Sequence, residues 1–359
     1  MTTINGYTLT SDFTTAGGGQ CRWAFAEKGG TSYFLKEFLR PTFPLPDGPG
    51  SEATKSRKRA QCAVFETRHR ELQQLLGEIS SEGGNLIVTK EFFREKAKYY
   101  KVTAKVDVSS SSMNEVSRLP PIQRVVLAST VAHSVGILHR LGIVHGDIKP
   151  ANVLLKVTEK GYHTAKLIDF DDCFKAGEPA PSEELVVDLA YAAPEANKYL
   201  REEGPGEDVT CAADIFALGL IFCQYLTGQK PQFVGGPAAP SGAAPADLLM
   251  AGSELSTGLE HGWPDAHKLI SSMLAPDFSD RPSIGKVAEE LQAIRRSDLT
   301  GVSIGASARS SRLKGRLATV PRSTEPKSIR VETGSKALSD ATAPSRLRGS
   351  LTRKTSKES

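Results

Sequence analysis

The run His145-Gly146-Asp147-Ile148-Lys149-Pro150-Ala151-Asn152-Val153-Leu154-Leu155 is followed by Leu167-Ile168-Asp169-Phe170-Asp171. Together they set an acid, a lysine, an amide and a second acid along a short stretch of chain. That is where a phosphoryl group and its metal ions would need them. Asp147 and Asp169 stand 22 residues apart. One string alone is easily matched by chance; the two in this order are not.

Such groups need elements to hold them. Trp23 to Glu27 and Ser32 to Phe38 read as two strands around the turn Lys28-Gly29-Gly30. A Pro- and Gly-rich loop from Pro41 to Gly50 leads into the basic run Lys55-Ser56-Arg57-Lys58-Arg59. A helix is expected from Arg59 to Ile79, with Val64, Arg68, Leu72, Leu75 and Ile79 along one side. Asn85 to Arg94 and Lys98 to Val106 read as a second pair of strands. A polar, Ser-rich connection opens at Asp107 and runs to about Ser112. Pro121 then starts a long helix carrying Ile122, Val125, Ala128, Val131, Val135 and Leu138 at helical spacing. Beyond it, Val153 to Lys156 and Thr164 to Ile168 flank a short hairpin, and the remainder to about Ile294 is expected to be helical. A β-rich small lobe joined to a helical large lobe is the predicted shape.

Charge divides the chain unevenly. Residues 300–359 carry 13 Lys/Arg and 4 Asp/Glu, while the first 299 residues carry a net charge of −5. Ser and Thr supply 19 of those last 60 residues, with no aromatic side chain and no apolar period. Such a tail is expected to be disordered, because it has too little apolar surface to offset the entropy of ordering. No basic segment leads into an apolar run at the N-terminus, so no secretory signal is expected. The stretch around Ile215 to Leu226 is too short to span a bilayer. Five cysteines, Cys21, Cys62, Cys173, Cys211 and Cys223, form no close pairs in sequence. A reduced, cytoplasmic protein without a structural zinc site is the expectation.

The order of these strings resembles the catalytic loop and metal-binding turn of the eukaryotic-like serine/threonine protein kinase family, bacterial type. The resemblance implies an α+β, bilobal protein-kinase-like fold, with a small β-rich N-lobe and a larger helical C-lobe. It covers about residues 10–296, the N-lobe spanning about 10–106 and the C-lobe about 107–296. Residues 1–9 would be an N-terminal extension, and 297–359 a basic, Ser/Thr-rich disordered tail.

Residue by residue, the resemblance implies that Asp147 is the general base and that Lys149 neutralises charge on the transferring phosphoryl group. Asn152 and Asp169 would hold Mg²⁺ beside ATP, and Lys36 would hold its α- and β-phosphates. Gly17 and Gly19, in Ala16-Gly17-Gly18-Gly19-Gln20-Cys21-Arg22, match two glycines of the family's phosphate-covering hairpin, and Arg22 stands where the third would be. Glu71 best resembles the helix carboxylate that pairs with the lysine, with Glu66 as the alternative. Ala193-Pro194-Glu195, the segment from Asp214 to Gly219 and Arg281-Pro282-Ser283 resemble the structural landmarks of the large lobe.

Three positions depart from the pattern. Gly146 replaces the arginine before the catalytic aspartate, which normally pairs with a phosphate on the activation segment. Between Asp169 and Glu195 the only hydroxyls are Ser182 and Tyr191, so activity is expected not to need a phosphate there. Asp171 replaces the glycine after Asp169-Phe170; its side chain would either restrict the loop's flip or add a carboxylate near the metals. Asp188 takes the place of a threonine and would repel Asp147 unless Lys149 lies between them.

A protein kinase acting on an unknown protein substrate is the leading expectation. The strings His145-Gly146-Asp147 and Asp169-Phe170-Asp171-Asp172 are also similar to aminoglycoside and choline kinase-like small-molecule phosphotransferases. A nucleotide-binding pseudokinase scaffold is the third reading. The tail offers Ser350 and Thr355, near basic residues, as autophosphorylation sites and a positive surface for an anionic partner.

Overall fold

The computed structural model describes residues 2–16, 21–80, 85–106, 113–157, 163–236 and 242–306. Residues 1–299 form one compact unit, and its order of elements gives an α+β, bilobal fold.

The small lobe opens with strands β1 (Thr3–Ile4) and β2 (Tyr7–Leu9). Asn5 and Gly6 between them take φ of 46° and 81°, the left-handed pair that a two-residue hairpin requires. The first nine residues are therefore not an extension: β2 pairs with β3, and β1 and β2 are the edge of a six-stranded sheet. The Asn-Gly dipeptide was the sequence signal for this hairpin. Strands β3 (Cys21–Lys28) and β4 (Thr31–Phe38) meet at Gly29 and Gly30, both also at positive φ.

Helix α1 (Glu52–Ser80) starts seven residues before the expected Arg59. The basic run lies inside it, since Lys and Arg are good helix formers and the Ser51 hydroxyl accepts the Thr54 backbone N–H at 3.3 Å. Its inward face matches the expected one only in part: Leu72 and Leu75 pack against the core. Cys62, His69 and Leu76 are buried, whereas Val64 is 70% exposed. Strands β5 (Thr89–Glu95) and β6 (Lys98–Ala104) complete the antiparallel sheet in the order β1-β2-β3-β4-β6-β5. Lys36 on β4 and Lys101 on β6 are direct cross-strand partners. Two ammonium groups placed so repel unless carboxylates come between them.

The large lobe is built on helix α3 (Pro121–Arg140), preceded by the short α2 (Met113–Arg118). Val125, Ala128, Val131, Val135 and Leu138 of α3 are buried, as their spacing predicts. They share one core with Phe216, Ile221, Met273 and Leu291. Short strands β7 (Ile143–Val144), β8 (Val153–Val157), β9 (His163–Leu167) and β10 (Phe174–Lys175) frame the loops that carry the chemistry. Helices α4 (Pro194–Leu200) and α5 (Cys211–Thr227) follow, the latter buried on nearly every side. Strands β11 (Gln232–Val234) and β12 (Glu254–Ser256) pair beside α6 (Pro245–Met250) and α7 (Pro264–Met273).

Helix α8 (Ile284–Ala306) runs ten residues past the expected domain end at 296, since extending a helix costs far less than nucleating one. The rest of the basic tail, with Ser350 and Thr355, lies outside the described residues, as do the connection 107–112 and both Gly17 and Gly19. Among the described residues no helix is long and apolar enough to cross a membrane.

Candidate active site

The catalytic-loop residues bond mostly to one another. Both Asp147 carboxylate oxygens lie 2.8 Å from the Lys149 ammonium. The Asn152 amide donates to the Asp147 backbone carbonyl at 2.7 Å and to its carboxylate at 3.0 Å. All three side chains are buried. Lys149 also faces Asp188 at 3.8 Å, so the cation does stand between the two acids.

This loop is fixed from behind by helix α5. Asp214 accepts the backbone N–H groups of His145 at 2.8 Å and Gly146 at 3.0 Å, and lies 2.9 Å from the His139 ring. A carboxylate bonded to charged or backbone donors in so buried a setting holds its partners firmly. Gly146 is obligatory on two counts. Its φ is +77°, and a Cβ there would lie 2.9 Å from the Phe174 ring and 3.3 Å from the Asp172 carbonyl.

The turn carrying Asp169 joins directly. The Ile168 N–H donates to the Asn152 carbonyl at 3.0 Å. Asp169 follows at φ 65°, a strained backbone for a residue with a side chain and one typical of functional turns. Its carboxylate meets the Lys36 ammonium at 2.8 Å. Lys36, Asp147, Asn152 and Asp169 thus belong to one chain of contacts that crosses from the small lobe to the large.

Helix α1 does not supply the expected partner of Lys36. Glu66 accepts from Tyr99 at 2.7 Å and from Arg70 at 2.9 Å, and Glu71 is exposed. Two residues along a helix is a turn of about 200°, so with His69 facing inward Glu71 must face away. Asp171 takes the lysine instead, at 2.6 Å. Asp171 is also ion-paired with Lys101, a residue that sequence reasoning missed. The one available signal was a lysine between Tyr100 and Val102 in an apolar strand.

Burial disfavours charge on Lys36 and Asp171 alike, but their mutual attraction outweighs it. Lys36 is held well above the ordinary lysine value by Asp171 and Asp169, and Asp171 well below the ordinary carboxylate value by Lys101 and Lys36. Arg22, in the place of a third loop glycine, forks onto Glu37 at 2.8 and 2.9 Å. Its departure from the glycine pattern therefore has a structural occupation, a cross-strand ion pair.

Asp172 behaves oppositely to its neighbour. Burial pushes its carboxyl up to about 7, helped by repulsion from Asp171, Asp169 and Asp147. Because the folded value exceeds the unfolded one, the folded chain holds this proton more tightly. The carboxyl costs no stability at low pH, and its cost grows as pH rises toward about 7. Asp172→Asn should therefore stabilise the protein by on the order of 2–4 kcal/mol at pH 8 and by clearly less at pH 5. Melting temperatures of both forms at the two pH values check this; equal differences would show that no proton is held there.

Asn152 and Asp169 offer an amide and a carboxylate oxygen, hard donors of the kind Mg²⁺ takes from protein while phosphates and water fill the rest of its shell. The donor set fits that ion.

The family model for the protein kinase domain matches residues 52–292. The chain is 30% identical over 184 residues to the serine/threonine-protein kinase PkaA of Streptomyces coelicolor, covering 51% of this chain and 31% of that protein. It is 29% identical over 181 residues to the serine/threonine-protein kinase PknA of Corynebacterium glutamicum, covering 50% and 35% respectively. With the MAP kinase-interacting serine/threonine-protein kinase 2 of Xenopus laevis the figures are 29% over 233 residues, 57% and 48%. The chain thus spans about a third to a half of the length of these curated relatives.

Proposed function

The chain belongs to the protein kinase family, and from that premise we propose that it transfers the γ-phosphate of ATP to a serine or threonine hydroxyl of a protein. The observation that carries this reading is the series of contacts from Lys36 to Asp169, through the backbone N–H of the neighbouring Ile168 to Asn152, and from Asn152 to Asp147. Phosphoryl transfer asks for positioning and charge stabilisation more than for covalent chemistry.

Asp147 accepts the proton of the incoming hydroxyl, and Lys149 beside it stabilises negative charge on the moving phosphoryl group. Lys36 binds the α- and β-phosphates. Asn152 and Asp169 hold Mg²⁺, which supplies countercharge to the phosphate oxygens when bound. The serine/threonine kinases among the relatives support a hydroxyl acceptor on protein. So does the buried pair of Glu195 with Arg281, at 2.7 and 2.8 Å, which anchors the segment following the metal turn.

Activity is independent of phosphorylation in that segment. Position 146 has no room for an arginine to receive such a phosphate, and Ser182 bonds only its neighbour Glu183 at 3.3 Å. Ser182→Ala should keep kcat/KM within about twofold of the parent, the range expected for a surface change remote from the chemistry. A loss of transfer on removing all phosphate, recovered by phosphorylation at Ser182, would reverse that conclusion. In the tail, Ser350 and Thr355 beside basic residues are candidate autophosphorylation sites, and the positive charge there suits an anionic partner. The working compartment is the cytoplasm.

The test is transfer from radiolabelled ATP into a lysate of cells lacking this protein. Label in protein as phosphoserine or phosphothreonine is the expected result. Rapid turnover with an amino-sugar or alcohol, and none with any protein, favours the small-molecule reading instead. MgATP binding without turnover of any acceptor leaves only the scaffold.

A further inference from the structure

Four charged side chains and one neutral imidazole meet where the lobes touch. Lys36 and Lys101, from adjacent strands of the small lobe, face Asp169 and Asp171 of the large-lobe turn. Lys101 also approaches Asp169 at 3.8 Å. Side-chain exposure is 13% for Lys36, 6% for Lys101 and 11% for Asp171, so these pairs are little screened by solvent.

Helix α1 comes closest through His69, whose Nε2 is 3.9 Å from Asp171 and has no hydrogen-bond partner. The ring lies among Phe38, Phe65 and Phe92, with centroids 4.1 to 5.0 Å away. It is a packed, neutral group. Burial lowers its pKa to about 4. The two acids on this helix that sequence singled out point elsewhere.

We propose that Asp171, braced by Lys101, is the positioning residue for Lys36 and does the work that a helix carboxylate does in other kinases. The nucleotide-binding lysine is then set by the turn that also carries Asp169, and not by the placement of helix α1. Kinases whose lysine depends on a helix acid are switched by moving that helix. This arrangement removes the requirement. Lys101 contributes by holding Asp171 between the two ammonium groups, where a glycine would leave both lysines to Asp169 alone. The inference deepens the proposed function and rests on Lys36 binding phosphate.

A transplanted carboxylate tests it. Asp171→Gly and the near-isosteric Asp171→Asn should each weaken ATP binding, with and without Mg²⁺, and lower kcat/KM by about 100-fold, the scale of a lost buried charge contact. The double change His69→Glu/Asp171→Gly puts an acid on helix α1 beside the position that the Asp171 carboxylate vacates. It should recover at least about tenfold of the lost kcat/KM and most of the ATP affinity. A purely structural role for Asp171 predicts no such recovery. If the glycine form does not fold, His69→Glu/Asp171→Asn against Asp171→Asn makes the same comparison.

The idea is overturned if either single change leaves ATP affinity and kcat/KM within threefold of the parent. It is equally overturned if the helix carboxylate restores neither. Calorimetric ATP affinity does not depend on turnover. A parent chain that binds ATP but transfers no phosphate therefore defeats the proposed function, while the comparison among variants still decides the role of Asp171.

Discussion

Asp147→Asn lowers phosphate transfer by on the order of 10²- to 10⁴-fold, the range a positioned general base contributes, while MgATP still raises the melting temperature. The asparagine has nearly the same shape, but its amide is not a base at neutral pH. Its nitrogen would face donors from Lys149 and Asn152, which now sit 2.8 and 3.0 Å from carboxylate oxygens. Part of the network is therefore lost as well as the base. Nucleotide affinity is spared because Lys36 and Asp169 bond to each other, while Asp147 bonds to Lys149 and Asn152. Transfer within about threefold of the parent would place the proton acceptor elsewhere. Loss of the MgATP thermal shift would show that the substitution had damaged the nucleotide site.

The largest expected effect on stability is at Arg281. Its side chain is fully buried and its guanidinium serves Glu195 twice, the Ala275 carbonyl at 2.8 Å and the Ala212 carbonyl at 2.9 Å. Arg281→Met strands the buried Glu195 carboxylate and three backbone carbonyls, those of Ala212, Ala275 and Pro276. A loss of about 3–5 kcal/mol follows, the usual cost of breaking a buried pair from one side. Removing both charges, as Glu195→Leu/Arg281→Met, costs less than Arg281→Met alone, because no carboxylate is left unpaired. Urea denaturation midpoints of the three forms measure the difference. A single-variant loss below about 1 kcal/mol would mean that water reaches Glu195.

What could be read from the sequence follows the range over which each contact acts. Asp147, Lys149 and Asn152 lie within six positions and bond mainly to one another, so a short string specified their arrangement. Strands β3 and β4 were legible because Gly29 and Gly30 mark the turn that sets their register. The Asn5-Gly6 hairpin carries the same kind of mark, two successive residues at positive φ. On helix α1 the expected face holds at Leu72 and Leu75, which pack against the core, and fails at Val64, where Cys62, His69 and Leu76 turn inward instead. Glu71 was singled out by its resemblance to a family pattern, which does not fix the side of the helix it lies on. The roles of Asp171 and Lys101 were out of reach for a different reason: their contact joins positions 70 residues apart, and no local pattern encodes which strand residue a distant turn will meet.

The quartet of Lys36, Lys101, Asp169 and Asp171 sums to zero. A nucleotide arriving at the proposed site, itself strongly anionic, would therefore meet no net pull from these groups at a distance, and would take the place of Asp169 beside a Lys36 ammonium that Asp171 still holds. Capture is then governed by exchange at short range, and long-range electrostatic guidance contributes little to the encounter rate.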